Sequence, residues 1–377
     1  MDRDMDRTAD LRARTPEMVA DLEALVSAES FSDDLAATAA CAGVVAGLTR
    51  RLLGAEPERL EIDGRTHLLW KRAERAPLLL VGHFDTVWPT GTIERRPFTV
   101  DGDRATGPGA FDMKAGIVQG LHALSTLDHI DGVAFLFTSD EELGSPSSAP
   151  LIRELAASSG AALVLEPSAG GALKTGRKGV SMYAIEIAGR AAHAGLEPHQ
   201  GANALIELAH QVLAIETLAD PDAGTTVTPT VARAGTATNV VPASARIDVD
   251  VRVATLAEQD RIAKAMRALA PRVAGTSLTI DGDENRPPLE PASSAELFAR
   301  AARLGAELGL GDLQGVTVGG ASDGNFTAAE GCPTLDGLGA VGDGAHAESE
   351  YVVVSEMAPR VALLAALVDE LLRGDTP

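Results

Sequence analysis

Residues 78–91 read LLLVGHFDTVWPTG. Four aliphatics and a glycine form a short apolar run of the kind buried in the middle of a sheet, and TVWPTG supplies the turn chemistry that ends it. His83 and Asp85 therefore stand at the carboxyl end of a strand, two positions apart, with side chains on one face. In an open α/β sheet, ligands bind at that end. A strand-end histidine merely capped by its neighbouring carboxylate would look the same locally, so the rest of the chain decides.

Before this strand, residues 14–53 read as two amphipathic helices, with Asp33 or Asp34 as N-cap of the second, and ERLEI and THLLWK read as strands. After it come a helix from about Met113, a strand at GVAFLFTS, a helix near 147–158 and a strand at AALVLE. Strands alternating with helices give the α/β class with a sheet at least partly parallel. The pattern then changes. SMYAIEIAG, a helix in GANALIELAHQVLAIETL, TTVTPTVARAG, SARIDVDVRVA, a helix over 256–270 and TSLTIDGDE follow in β-α-β-β-α-β order, the split βαβ or ferredoxin-like sandwich. ENRPPLEP is the return linker, and helix 292–309, a turn at GVTVGGASDGNF, a short strand at CPTLDGLG and a helix over 355–373 resume the first domain. The expected organisation is a catalytic domain in two parts, 1–178 and 291–377, with an insert at 179–290.

The composition narrows the function. The 377 residues carry 54 acidic against 32 basic side chains, a formal charge of −22 that repels nucleic acid and anionic lipid. No apolar run is long enough for a membrane span, and the charged N-terminus MDRDMDRTADLRARTPEM, a lead-in to the first helix, has no signal-peptide core. Cys41 and Cys332 read as reduced thiols, which together with the missing signal makes a cytoplasmic protein the expectation.

Acids and histidines recur where strands end. Asp112 lies in the glycine-rich turn ATGPGAFDMKAG, Glu141 and Glu142 end GVAFLFTSDEELGS, Glu166 ends AALVLEPS, and His346 lies in GLGAVGDGAHAESEY. Each admits a local reading: an N-cap, a solvated acid pair, a strand-end acid, a loop histidine. Together at one rim, the carboxylates repel one another and call for compensating cations. Two imidazoles with several carboxylates suit zinc or a similar first-row ion, and two metals roughly 3.5–4 Å apart would account for the number of ligands.

HFDTVWP, GPGAFDMKAG, SDEELGS, LEPS, AAHAG and GDGAHAESEY, in that order over about 78–353, resemble the co-catalytic zinc exopeptidases, which include carboxypeptidase G-type glutamate carboxypeptidases, aminoacylases and succinyl-diaminopimelate desuccinylases. The resemblance implies a zinc-peptidase-like mixed sheet flanked by helices, with the insert as lid and dimerisation domain. It implies two Zn²⁺ per subunit, replaceable by Co²⁺ or Mn²⁺: one on His83, Asp112 and Glu166, the other on Asp112, Glu142 and His346. Asp85 would orient the His83 ring and Glu141 would be the general base. His193 in GRAAHAGLEP would act in the partner subunit's active site of a homodimer, polarising the scissile carbonyl. Asn239, Arg252 and the loop GGASDGNF (Gly319, Gly320, Ser322, Asp323) would hold the substrate, Arg252 taking its α-carboxylate. Relatives often carry a second acid after the bridging Asp, where this chain has Met113.

The expected activity is release of an amino acid with a free α-carboxylate from a small peptide, with N-acyl amino acid deacylation or desuccinylation as the alternative. A non-catalytic metal or amino-acid binder would be expected to lack a ligand or the base, and none is missing. Lys174, Arg177 and Lys178 are the loosely placed cations for an acidic substrate side chain. His67, His122, His129, His199 and His210 match no ligand position and read as structural or surface residues.

Overall fold

Every residue of Leu78–His83 is buried in the computed structural model, which describes residues 10–374. The charged segment 1–9 lies outside the described residues. Strands β1 (Glu58–Ile62), β2 (Arg65–Lys71), β3 (Leu78–His83), β4 (Val133–Thr138), β5 (Ala161–Val164) and β6 (Thr334–Leu335) form one sheet in the spatial order β1-β2-β4-β3-β5-β6. β4, β3, β5 and β6 are parallel, and β1 and β2 add an antiparallel edge. The register sets His83 opposite Thr138 on β4, so the strand-end segments that follow leave the sheet at one rim.

Both faces of this sheet are covered, which is why its central strands run apolar until the residues that end them at the rim, His83 and Thr138. Leu78, Leu80, Phe135, Phe137 and Leu163 pack in one layer with Leu22, Val45, Ile117 and Leu364. The alternate residues Leu79, Val81, Leu136 and Val164 pack in the other with Ile152, Ala156 and Phe326. Helix Leu35–Leu53 starts from an Asp34 cap that accepts the Ala37 N–H at 3.0 Å. By length and composition it could cross a bilayer, but Cys41, Ala42 and Val45 are buried in the first apolar layer. The helix expected from Met113 begins at Ala115, because Asp112 and Met113 have non-helical backbone angles. Its Gly116 permits close approach to the end of β5, where an added Cβ would lie 2.0 Å from the Leu165 carbonyl oxygen.

A second, small sheet escapes the sequence reading. It joins Gly342–Asp343, Tyr351–Val353, Arg104–Thr106 and Thr99–Asp101, strands of two or three residues with too few side chains to show a period. It anchors both ends of the His346 loop.

The described residues fold as two compact units, one of 10–176, Glu290–Val318 and 322–374, the other of Arg177–Leu289 with Gly319–Ala321. The second unit has a four-stranded antiparallel sheet in the order Thr226–Ala234, Ser244–Val253, Gly179–Ala188, Ser277–Arg286. Helices Ala204–Glu216 and Leu256–Arg267 complete the β-α-β-β-α-β order, and Ile185, Ile247, Val251, Ile215 and Met266 form its core.

Candidate metal centre

Three parallel strands each deliver acids or a histidine to one rim of the first unit. β3 ends on His83, β4 leads into Glu141 and Glu142 on a short 3-10 turn, and β5 leads into Glu166. Ligand atoms of His83, Asp112 and Glu142 lie within 4.8 Å of one another, as do those of His83, Glu141 and Glu166. Asp112 spans both histidines, with Oδ1 at 3.3 Å from His83 Nε2 and Oδ2 at 3.5 Å from His346 Nε2. Glu166 Oε1 is 3.5 Å from the same His83 nitrogen, and Glu142 Oε2 is 3.0 Å from His346 Nε2. The structure thus brings together all five residues that the sequence singles out as ligands.

Burial and the neighbouring carboxylates pull each of the two histidines in opposite directions. Burial pulls the His83 imidazole down, but the carboxylates of Asp112, Asp85 and Glu166 outweigh it and hold the ring well above its ordinary pKa. His346, half exposed and at positive φ, is raised to about 9, chiefly by its hydrogen bond with Glu142. Burial in turn raises the Glu142 carboxyl. Asp85, Glu141 and Glu166 are buried and Asp112 and Glu142 partly so, while Lys174 Nζ stands 3.7 Å from Glu166 Oε2. Five carboxylates gathered around two imidazoles fit a site built for divalent ions, and the imidazoles among them suit zinc or a similar metal.

Asp85 does more than the spacing suggests. His83 Nδ1 donates to the Asp85 backbone carbonyl at 3.0 Å and lies 3.4 Å from Asp85 Oδ1. The same carboxylate accepts the amide N–H groups of Glu141 and Glu142, each at 3.2 Å, and the Ser32 hydroxyl at 2.8 Å. One buried acid therefore fixes the histidine and the backbone of the acid pair. The acid-pair turn is also held from behind. Asp140 accepts both the N–H and hydroxyl groups of Ser147 and Ser148, and Asp323 accepts the hydroxyls of Thr138 and Ser145. His67 is buried against this network, with Nε2 at 2.9 Å from the Ser147 hydroxyl, a structural placement in agreement with its reading. His122 is likewise buried, between Asp21 and Arg14.

The remaining named residues divide between the units. His193 and Asn239 are exposed neighbours in the second unit, where Ala194 N–H donates to the Asn239 carbonyl at 2.9 Å. His193 Nδ1 accepts the amides of Gly195 and Leu196, each at 3.1 Å, which leaves Nε2 as the protonated, donating nitrogen. Arg252 is engaged by Asp250 through Nε at 2.9 Å and Nη2 at 2.9 Å. Arg177 donates to the carbonyls of Gly320 and Ala321 and so belongs to the loop's framework. Gly319 and Gly320 are exposed. Ser322 departs from its reading as a substrate donor. It is fully buried, its hydroxyl donates to Asp336 at 2.6 Å and its N–H to Asn325 at 2.9 Å, so both donors are engaged within the protein.

The match to known proteins accords with this geometry. The model of peptidase family M20/M25/M40 covers residues 79–370. The chain belongs to this family. Carboxypeptidase G2 of Pseudomonas sp. (strain RS-16) is 32% identical over 312 residues, 79% of this chain and 74% of that protein. Succinyl-diaminopimelate desuccinylase of Azoarcus sp. (strain BH72) is 28% identical over 345 residues, 84% of this chain and 90% of that protein. Among solved structures, the M20 family metallo-carboxypeptidase Sso-CP2 from Sulfolobus solfataricus superposes with a TM-score of 0.74 at 16% identity, covering 93% of this chain and 98% of that one. The chain is a hydrolase of the metallopeptidase type.

The sequence reading passed over two residues beside the cluster. Glu350, four positions after His346, is buried and accepts four N–H groups, and Trp88 in HFDTVWP supplies one of them. In the sequence each is a single residue, one aromatic and one acidic, inside a motif marked out by its neighbours.

Proposed function

We propose that this protein is a dizinc hydrolase that cleaves an amide bond to release an amino acid bearing a free α-carboxylate. The observation that carries the reading is Asp112, whose two oxygens each face a different histidine within one cluster of carboxylates. His83, Asp112 and Glu166 would hold one ion and Asp112, Glu142 and His346 the other, with Co²⁺ or Mn²⁺ able to replace Zn²⁺. The ions would supply Lewis-acid polarisation of the scissile carbonyl and lower the pKa of the attacking water. Glu141 accepts that water's proton and passes it to the leaving amine as the water oxygen bonds to the carbonyl carbon and the C–N bond breaks. Asp85 keeps Glu141 and His83 aligned throughout.

Recognition falls to the second unit and its loop. Arg252 would offer a fork for the α-carboxylate, exchanging Asp250 for the substrate, and Gly319 and Gly320 would offer backbone donors to the same group. Asn239 orients the acyl group, and His193 Nε2–H donates to the carbonyl oxygen from the partner subunit of a homodimer. The dimer reading is supported by the exposed Leu205, Ile206 and Leu213 of helix Ala204–Glu216 and by the edge strand Thr226–Ala234 with its exposed Val231. Lys174, beside Glu166, favours a substrate with a second carboxylate. That carboxylate would be the side chain of a released glutamate, as the likeness to carboxypeptidase G2 suggests, or the end of a succinyl group, as the desuccinylases suggest.

A hydrolysis screen of the zinc-loaded protein separates these readings. Peptides with C-terminal glutamate and N-aroyl glutamates are expected to be cleaved faster than their neutral counterparts. Preference for N-succinyl or N-acetyl amino acids would give the deacylase reading instead, and no hydrolysis of any of them would refute both.

A further inference from the structure

Glu350 has no role in the scheme above, although it sits closer to the organisation of the metal cluster than most residues that do. It is 1% exposed, and each of its oxygens receives two N–H groups. Oε1 accepts from Phe111 at 2.9 Å and Asp112 at 3.1 Å, and Oε2 accepts from Gly109 at 3.0 Å and the Trp88 indole at 3.1 Å. All four partners are donors only, so both oxygens act as acceptors, a pattern that favours the carboxylate form against the burial that raises its pKa.

These contacts join three segments. The turn 109–112 carries Asp112, Trp88 follows the strand that ends on His83, and Glu350 itself closes the loop that carries His346. The turn depends on such an anchor. Gly109 adopts φ 71°, and an added Cβ there would lie 2.3 Å from Thr86 Cγ2, so the backbone is pressed against the segment behind it. Between Gly109 and the helix that starts at Ala115, Asp112 and Met113 have non-helical backbone angles. The N–H groups of Phe111 and Asp112 end on Glu350 and not on a preceding turn.

We propose that Glu350 is the positioning residue for Asp112. Through the backbone it holds the one carboxylate that faces both histidines, and it ties the setting of that carboxylate to the His346 loop, with Trp88 holding Glu350 in place. This rests on the dizinc reading above, with Asp112 serving both ions. Removing an outer partner of a metal ligand typically lowers metal affinity about 10–100-fold. Because Asp112 serves both positions, loss of Glu350 weakens both, whereas a fault at His83 alone weakens chiefly one.

The test is a competitive chelator titration of zinc into metal-free Glu350→Gln, at a temperature where its circular dichroism shows it folded. Glutamine keeps the shape but turns one oxygen into a donor facing two other donors. The expected result is two zinc equivalents, as in the parent, with both binding steps weaker by about 10–100-fold. Trp88→Phe, which removes one of the four donors, is expected to weaken binding less, by about 2- to 10-fold, the span of one hydrogen bond. Parent-like affinities in Glu350→Gln, with only a lowered melting temperature, would make Glu350 a general structural residue and overturn the proposal. If Glu350→Gln does not fold, unchanged affinity in Trp88→Phe overturns it. A parent that binds no zinc would fail the dizinc reading and this inference with it, an outcome distinct from a parent that binds two and a variant that matches it.

Discussion

Asp85→Asn replaces a buried carboxylate with an isosteric amide, and the structure shows what that change must break. Oδ1 faces the Glu141 N–H at 3.2 Å and His83 Nδ1 at 3.4 Å, and Oδ2 faces the Glu142 N–H at 3.2 Å and the Ser32 hydroxyl at 2.8 Å. The amide keeps one oxygen, so one of these pairs meets an NH₂ group. The less costly orientation places the NH₂ at the Oδ2 position, because Ser32 can accept from it while donating to the Thr86 carbonyl, 3.1 Å away. The Glu142 N–H is then left without its acceptor, at a cost of about 1–3 kcal/mol for a buried group. The negative charge that favours a correctly aimed His83 is lost as well. Zinc affinity is expected to fall about 10–100-fold, or about 1.4–2.7 kcal/mol, with both equivalents still bound at saturation. A chelator titration of the metal-free variant measures this directly, with far-UV circular dichroism as the check on folding. Unchanged affinity would refute the orienting role, and complete loss of one equivalent would make Asp85 a ligand.

Glu141→Ala is expected to keep both metals by elemental analysis and to lower kcat at least about 10²-fold; loss of an equivalent would exchange the roles of Glu141 and Glu142. In metal-free protein His346 is raised to about 9, so below that pH it carries a proton that an entering ion must displace. Zinc affinity should therefore climb from pH 6 to 8 and level off above about 9, whereas a flat profile would exclude His346 as a ligand. Arg252→Ala is expected to raise KM for substrates with a free α-carboxylate while leaving amidated analogues, poor substrates of the parent, nearly unaffected; equal cleavage of both by the parent would refute an exopeptidase. Mixing inactive His193→Ala with inactive Glu141→Ala under subunit exchange should restore activity, since a heterodimer then has one site with neither defect, and no recovery after verified exchange would place His193 in its own subunit or outside the reaction.

The first sheet and its candidate ligands were legible because buried apolar runs mark its strands. Apolar runs such as LLLVGH and VAFLFT are buried on both faces, and a polar residue that ends such a run is conspicuous against it. The positions of His83, Glu141, Glu142 and Glu166 follow from strand ends alone. Asp112 and His346 stand on turns, and they came from ordered motifs. Asp85 was legible as a partner of His83 but not as the acceptor for Glu141 and Glu142, because those bonds join segments 56 and 57 residues apart. Glu350 was invisible for the same reason, its acceptor role depending on backbone N–H groups 238–241 residues away. Ser322 shows the opposite failure, a donor type in a loop of the expected kind whose hydroxyl is turned inward to Asp336.

Everything proposed for the reaction depends on one aspartate organising two metal ions. Zinc content per chain, measured by mass spectrometry after saturation and removal of loosely bound metal, tests this on the parent and on Asp112→Ala side by side. Two equivalents are expected in the parent, with loss of tight binding at both positions in the folded variant. One equivalent or none in the parent, or two retained without Asp112, would contradict it.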